Sequence, residues 1–136
     1  MVALSNDRNT PKANNGFTHG ARDLAPTTTV FAGSLVGQTS AGLAVPARPQ
    51  ASITMLGCAR HRASTELAGL PTSVEFDRGV FRFANSPSAD AITLGDYGKT
   101  VYAVDDQTVA KTNGGGARPA AGIVRNVDAL GVWIEL

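Results

Sequence analysis

Large apolar side chains are sparse over the first 28 positions and then recur in short runs, so the chain divides into two regimes. From 1 to 28, Asn, Thr, Asp, Gly and Pro dominate and apolar residues follow neither a helical nor a strand period; Phe17 is the only aromatic residue. This stretch reads as an extended N-terminal arm with a reach on the order of 90 Å if fully stretched. A loose tail without a role is the alternative. Residues 29–136 form the expected domain. Thr29-Val30-Phe31-Ala32 and Leu35-Val36 read as a strand broken by Gly33, and small residues continue to Val45 with Gly37 and Gly42 as turn formers.

Ser52 to Arg60 carries apolar residues on both parities, as expected of a strand covered on both faces. A helix competes there, but Gly57 and the shortness of the run count against it. Val74 and Phe76 share one face opposite Glu75 and Asp77, whereas Phe81 and Phe83 have the opposite parity. One extra residue restores the alternation, which predicts a β-bulge at Arg78-Gly79; a tight hairpin at Asp77-Arg78-Gly79 is the alternative. Ser86 as N-cap and Pro87 at the first helical position predict one short helix or helical turn. Val101 to Val104 runs into a turn at Asp105-Asp106-Gln107, Thr108 to Lys111 returns, and Asn113-Gly114-Gly115-Gly116 is a mobile loop tip. Ala121 to Val127 then meets Val132 to Leu136 across Asp128-Ala129-Leu130-Gly131. The expected fold is mainly β: a small β-barrel or β-sandwich-like domain with one short helix and an extended N-terminal arm.

Composition narrows the function. The 136 residues include 12 Lys and Arg against 11 Asp and Glu, a formal charge of +1, with the two signs interleaved. Nucleic-acid binding needs clustered cations, so neither nucleic acid nor a charged membrane surface is expected as partner. No stretch approaches the ~18 apolar residues of a spanning helix, and the start lacks the basic and apolar regions of a secretion signal, so synthesis in a cytoplasm is expected. One cysteine and two histidines are too few for a zinc site of nitrogen and sulfur ligands.

Candidate chemistry is thin. Gly98-Lys99-Thr100 resembles the end of a phosphate-binding loop, but Thr93 stands where the first glycine belongs and a strand follows where a helix should. Cys58 and His61 are near enough in sequence for a thiolate–imidazole pair, yet Cys58 lies in an apolar strand, where cysteine acts as a small hydrophobe. Asp105 and Asp106 are adjacent and diverge, so turn chemistry explains them better than acid–base work; a surface calcium site is the weaker reading. Arg60, His61 and Arg62 form the single basic cluster, read as a solvated or subunit-contacting edge. Trp133 and Tyr102 read as core or interface aromatics. No catalytic residue, cofactor site or metal site is assigned, and no enzyme activity is expected.

Ala91-Ile92-Thr93-Leu94-Gly95-Asp96, Val101-Tyr102-Ala103-Val104-Asp105-Asp106, Ala121-Gly122-Ile123-Val124 and the terminal Val132-Trp133-Ile134-Glu135-Leu136 together resemble the head decoration, or capsid cement, proteins of tailed bacteriophages. The resemblance covers residues 29–136 and is best from Ala91 onward, although Tyr97-Gly98-Lys99-Thr100 separates Gly-Asp from Val-Tyr by more than the usual pattern. It implies a β-rich homotrimer on the outer surface of a virion, made in the host cytoplasm before assembly and stabilising contacts between subunits of the major capsid protein. Its arm would pair with a partner's sheet, with Phe17 and Leu24 as apolar anchors and His19, Arg22 and Asp23 as polar contacts. The alternatives are a small-ligand or carbohydrate-binding β-barrel, or another phage structural protein of the tail or head completion.

Overall fold

A computed structural model describes residues 17–136. Its strands are β1 (His19–Asp23), β2 (Thr29–Val30), β3 (Leu35–Gln38), β4 (Ala44–Pro46), β5 (Thr54–Ala59), β6 (Ala63–Ser64), β7 (Ser73–Asp77), β8 (Val80–Asn85), β9 (Thr100–Ala103), β10 (Thr108–Ala110), β11 (Ala120–Asp128) and β12 (Gly131–Glu135). Two 3₁₀ turns, Ser88–Asp90 and Leu94–Asp96, lie between β8 and β9. The fold is mainly β, as the alternation of apolar and polar residues predicts.

Ten of the twelve strands among the described residues form two units, while β2 and β6 pair with each other in a small two-stranded sheet. An antiparallel sheet has the order β1-β7-β5-β3-β4, and a closed barrel has the order β10-β8-β12-β11-β9, with β9 and β10 completing the circle. All barrel pairs are antiparallel except β8–β10. The first sheet is itself nearly closed: Leu24 makes a parallel bridge to Ala44, and the Ala25 N–H donates to the Ala44 carbonyl at 3.0 Å. One end of β1 is thereby tied to β4 across the sheet, which reduces the exposed edge that an open sheet would present.

Two hydrophobic cores lie on opposite faces of the shared strands. Leu35, Phe83, Ile92, Val101, Val109, Val124, Val132 and Ile134 fill the barrel, and Leu24, Val30, Val36, Leu56, Val74 and Phe76 fill the sheet's own core. In β5, Leu56 and Ala59 belong to the second core while Met55 and Cys58 pack against the first. A strand with both faces covered tolerates apolar residues on both parities, which is what Ser52 to Arg60 displays.

The structure corrects three expectations. Arg78-Gly79 is neither a bulge nor a hairpin: β7 ends at Asp77 in the sheet, and β8 begins at Val80 in the barrel. Parity inverts because the backbone crosses from the sheet to the barrel, so that Val74 and Phe76 face one core and Phe83 and Phe81 the other. Gly79 makes this corner with φ +151, while its carbonyl accepts the Leu136 N–H at 2.8 Å. The expected helical turn is present as the 3₁₀ turn Ser88–Asp90, joined by a second at Leu94–Asp96, but Pro87 holds the cap position and Ser86 does not; it is buried, with its hydroxyl donating to the Val109 carbonyl. Finally, the arm–domain boundary at 28 does not hold within the described residues. His19–Asp23 pairs with β7 along its whole length, and Leu24 is buried in the sheet's core. Residues 1–16 lie outside the described residues.

Candidate interaction surface

The residues expected to anchor the arm meet on and beside β1, but in different roles. Their register on β7 is antiparallel, with His19 opposite Asp77 and Asp23 opposite Ser73. The Arg78 N–H donates to the Thr18 carbonyl and the Leu24 N–H to the Thr72 carbonyl. Pairs of this register that exchange bonds alternate with pairs that do not, so even-numbered residues of β1 bond to β7. The amide of Ala21 therefore aims away from β7 along the outer edge, whereas the same side of Asp23 faces β4, where the Leu24–Ala44 bridge begins. Arg22 donates through Nε to Gln38 at 3.2 Å and through Nη1 to the Ala21 carbonyl at 3.0 Å. Asp23 accepts from the Ser73 hydroxyl at 2.7 Å. Phe17 is 72% exposed with φ +60, whereas Leu24 is 5% exposed. Leu24 is thus a core residue of this protein and has no surface to offer a partner, while Phe17 does.

Phe17, His19, Arg22, Leu56, Phe76 and Arg78 line a cavity of about 270 Å³ beside β1. Arg78 closes its floor by donating from Nη1 to the Leu56 carbonyl at 2.9 Å. A second cavity of about 390 Å³ adjoins it through Leu56 and Arg78 and continues between the sheet and the barrel, past Met55, Ile123 and Leu136. Both are surface grooves, the first with apolar and cationic walls and the second carrying both Arg78 and Glu135 among apolar residues, suited to an extended segment more than to a buried small molecule.

The remaining candidates take structural roles. Lys99 reaches Asp96 Oδ1 at 3.3 Å, Lys111 reaches Asp96 Oδ2 at 3.3 Å, and Thr100 opens β9, so Gly98-Lys99-Thr100 is the entry to a strand. Asp96 itself is a residue that sequence reasoning missed. Its carboxylate accepts the Thr93 N–H at 2.9 Å, and this bond, helped by the two lysines, holds its pKa at about 2. Thr93-x-x-Asp96 is a capping-box spacing, the signal that marks it. His61 accepts the Glu75 N–H through Nε2 at 3.2 Å and is not held against Cys58, whose thiol is pushed up mainly by burial. Asp105 accepts the Gln107 N–H and Asp106 the Ser34 hydroxyl, so the two carboxylates serve separate turns.

The basic cluster is dispersed as well. Arg60 clamps Asp77 with Nε 2.9 Å from both carboxylate oxygens, and this bond holds the Asp77 carboxyl below its usual range. Arg62 lies over the Phe31 ring at 5.0 Å. On the outer barrel wall Arg82 stacks on Trp133, whose Nε1 donates to Asp128 at 2.7 Å, and Arg125 stacks on exposed Tyr97 while pairing with Glu135. Among the described residues no three His, Cys, Asp or Glu side chains gather as a metal site would require, and no helix is long and apolar enough to cross a membrane. Comparison with protein-family models, with curated proteins and with solved structures gives no match.

Proposed function

We propose that this protein is a structural subunit that decorates the outer surface of a phage head, acting as a homotrimer and stabilising contacts between major capsid subunits. The observation that carries the reading is the outer edge of β1 ahead of its bridge to β4, where the Ala21 amide faces outward beside the exposed Phe17 ring. A strand of another subunit added there would gain main-chain hydrogen bonds, the mode of association the resemblance implies for the N-terminal region. The segments that carry the resemblance supply three of the five barrel strands and the turn leading into them. A ligand-binding barrel is less well supported, because Phe83, Ile92, Val101 and Ile134 fill the barrel interior where such a ligand would sit.

The test is co-sedimentation with undecorated heads, comparing the full-length protein, a form lacking residues 1–16, and Ala21→Pro. Proline at 21 removes an amide that points outward and leaves the ladder to β7 in place, so it blocks strand addition without breaking the sheet. Binding by the full-length protein and severe weakening by Ala21→Pro, with melting unchanged, is the expected result. Equal binding by all three proteins overturns the role of this edge, and failure of the full-length protein to bind overturns decoration itself.

A further inference from the structure

The loop between β10 and β11 places a chemically labile dipeptide in an exposed, pre-bent turn. Asn113 and Gly114 are both exposed. The Asn113 side-chain oxygen accepts the Gly116 N–H at 3.1 Å, and its backbone carbonyl accepts the N–H of Gly116 at 3.2 Å and of Arg118 at 2.9 Å. The first bond folds the side chain forward over the turn and withdraws electron density from Cγ. Gly114 has φ +61, and its N–H donates to no acceptor among the described residues. A backbone nitrogen with no hydrogen-bond partner and no flanking Cβ thus sits next to a polarised side-chain amide. We propose that Asn113-Gly114 is a site of spontaneous deamidation in the folded protein, proceeding through a cyclic imide.

The step balances without an enzyme. The Gly114 nitrogen, its proton lost to solvent, attacks Asn113 Cγ; the new N–Cγ bond forms as the Cγ–Nδ2 bond of Asn113 breaks, and ammonia leaves. Water then opens the imide at either carbonyl, giving aspartate or isoaspartate. Each product adds one negative charge, taking the formal charge from +1 to zero. The charge arises beside Arg118, whose side chain lies across Gly114 and donates from Nη1 to Asp90 at 3.2 Å and to the Thr112 carbonyl at 3.1 Å. Aspartate at 113 retains an oxygen for the Gly116 N–H and adds a second anion for Arg118. Isoaspartate inserts a methylene into the backbone and pulls the Gly116 and Arg118 amides out of register with the carbonyl at 113.

Peptide mapping reads the reaction without ambiguity. Trypsin cuts after Lys111 and Arg125 and is blocked at Arg118 by Pro119, so the 112–125 peptide carries Asn113 as its only side-chain amide. The other Asn-Gly pair, Asn15-Gly16, falls in the separate 13–22 peptide. The full-length protein is incubated folded in mildly alkaline buffer, in parallel with a urea-unfolded sample, and each peptide is followed by mass and by isoaspartyl methylation. The expected result is a gain of about one dalton in the 112–125 peptide of the folded protein, at a rate no slower than in the unfolded one, and its loss in Asn113→Gln. A folded 112–125 peptide that stays unmodified while the unfolded one reacts would mean that the turn protects Asn113, and overturns the proposal. So would a mass gain confined to the 13–22 peptide.

Discussion

Leu35 and Val36 are consecutive in sequence and belong to different hydrophobic cores: Leu35 points into the barrel and Val36 into the sheet, and both are fully buried. β3 is therefore the wall between the two units, and the period of two assigns its neighbours to opposite sides. Leu35→Ala should cost about 2–5 kcal/mol and Val36→Ala somewhat less, in proportion to the smaller cavity. Urea denaturation followed by Trp133 fluorescence measures both. Because Trp133 is on the barrel, separate transitions for far-ultraviolet circular dichroism and fluorescence in either variant would show that the two units unfold independently.

The Leu24–Ala44 bridge makes the N-terminal region part of the folded domain from β1 onward. Deleting residues 1–28 removes β1, the bridge and a core leucine, so it should lower the melting temperature markedly. Leu24→Ala alone should cost about 2–5 kcal/mol. Thermal melting of the two variants checks this. A deletion of residues 1–28 that melts like the full-length protein would show that β1 contributes nothing to the domain.

The corner at Gly79 demands a backbone conformation that side chains disfavour, with φ +151, although a Cβ there would meet only the Phe81 ring at ordinary contact distance. Strain, not crowding, should dominate in Gly79→Val, at about 1–3 kcal/mol. Gly79→Ala should show most of the same loss in chemical denaturation, since the penalty begins with the Cβ itself. A large gap between the two variants would point to crowding instead.

How much of this is legible in the sequence follows from the kind of signal each element leaves. β9, β10, β11 and β12 alternate cleanly or are bounded by turn residues, and the sequence places them within a residue or two. The corner at 78–79 is misplaced because an inserted residue and a change of sheet invert parity alike; only the identity of the pairing strands separates them. β1 escapes notice because His-Gly-Ala-Arg-Asp carries no apolar alternation, its order coming from backbone bonds to β7 that no side chain announces. Leu24 shows the same limit at the candidate surface. A lone leucine in a polar stretch signals burial, but nothing local says whether Ala44 of the same molecule or a strand of another will cover it.

Asp96 should make the protein acid-sensitive. It is buried at 4% exposure, accepts the Thr93 N–H, and faces the ammonium groups of Lys99 and Lys111. Its pKa is lowered from 3.8 to about 2, chiefly by the Thr93 bond. A folded-state pKa below the unfolded one means that the unfolded protein binds the proton more readily, so the stabilisation is complete above pH 3.8 and is lost as pH falls toward 2. Asp77, Asp90 and Asp128 are shifted the same way, Asp77 and Asp128 by bonds to Arg60 and Trp133 and Asp90 by the Thr112 hydroxyl and Arg118, and they add to the acid limb. Asp96→Asn leaves an oxygen able to accept the Thr93 N–H but no charge for the two lysines. It should melt below the wild type near neutral pH, and the difference should shrink on acidification through this window. Melting curves across the acid range decide the matter: a wild-type-minus-variant difference that stays constant from neutral pH to pH 2 would show that the Asp96 charge contributes nothing to the fold.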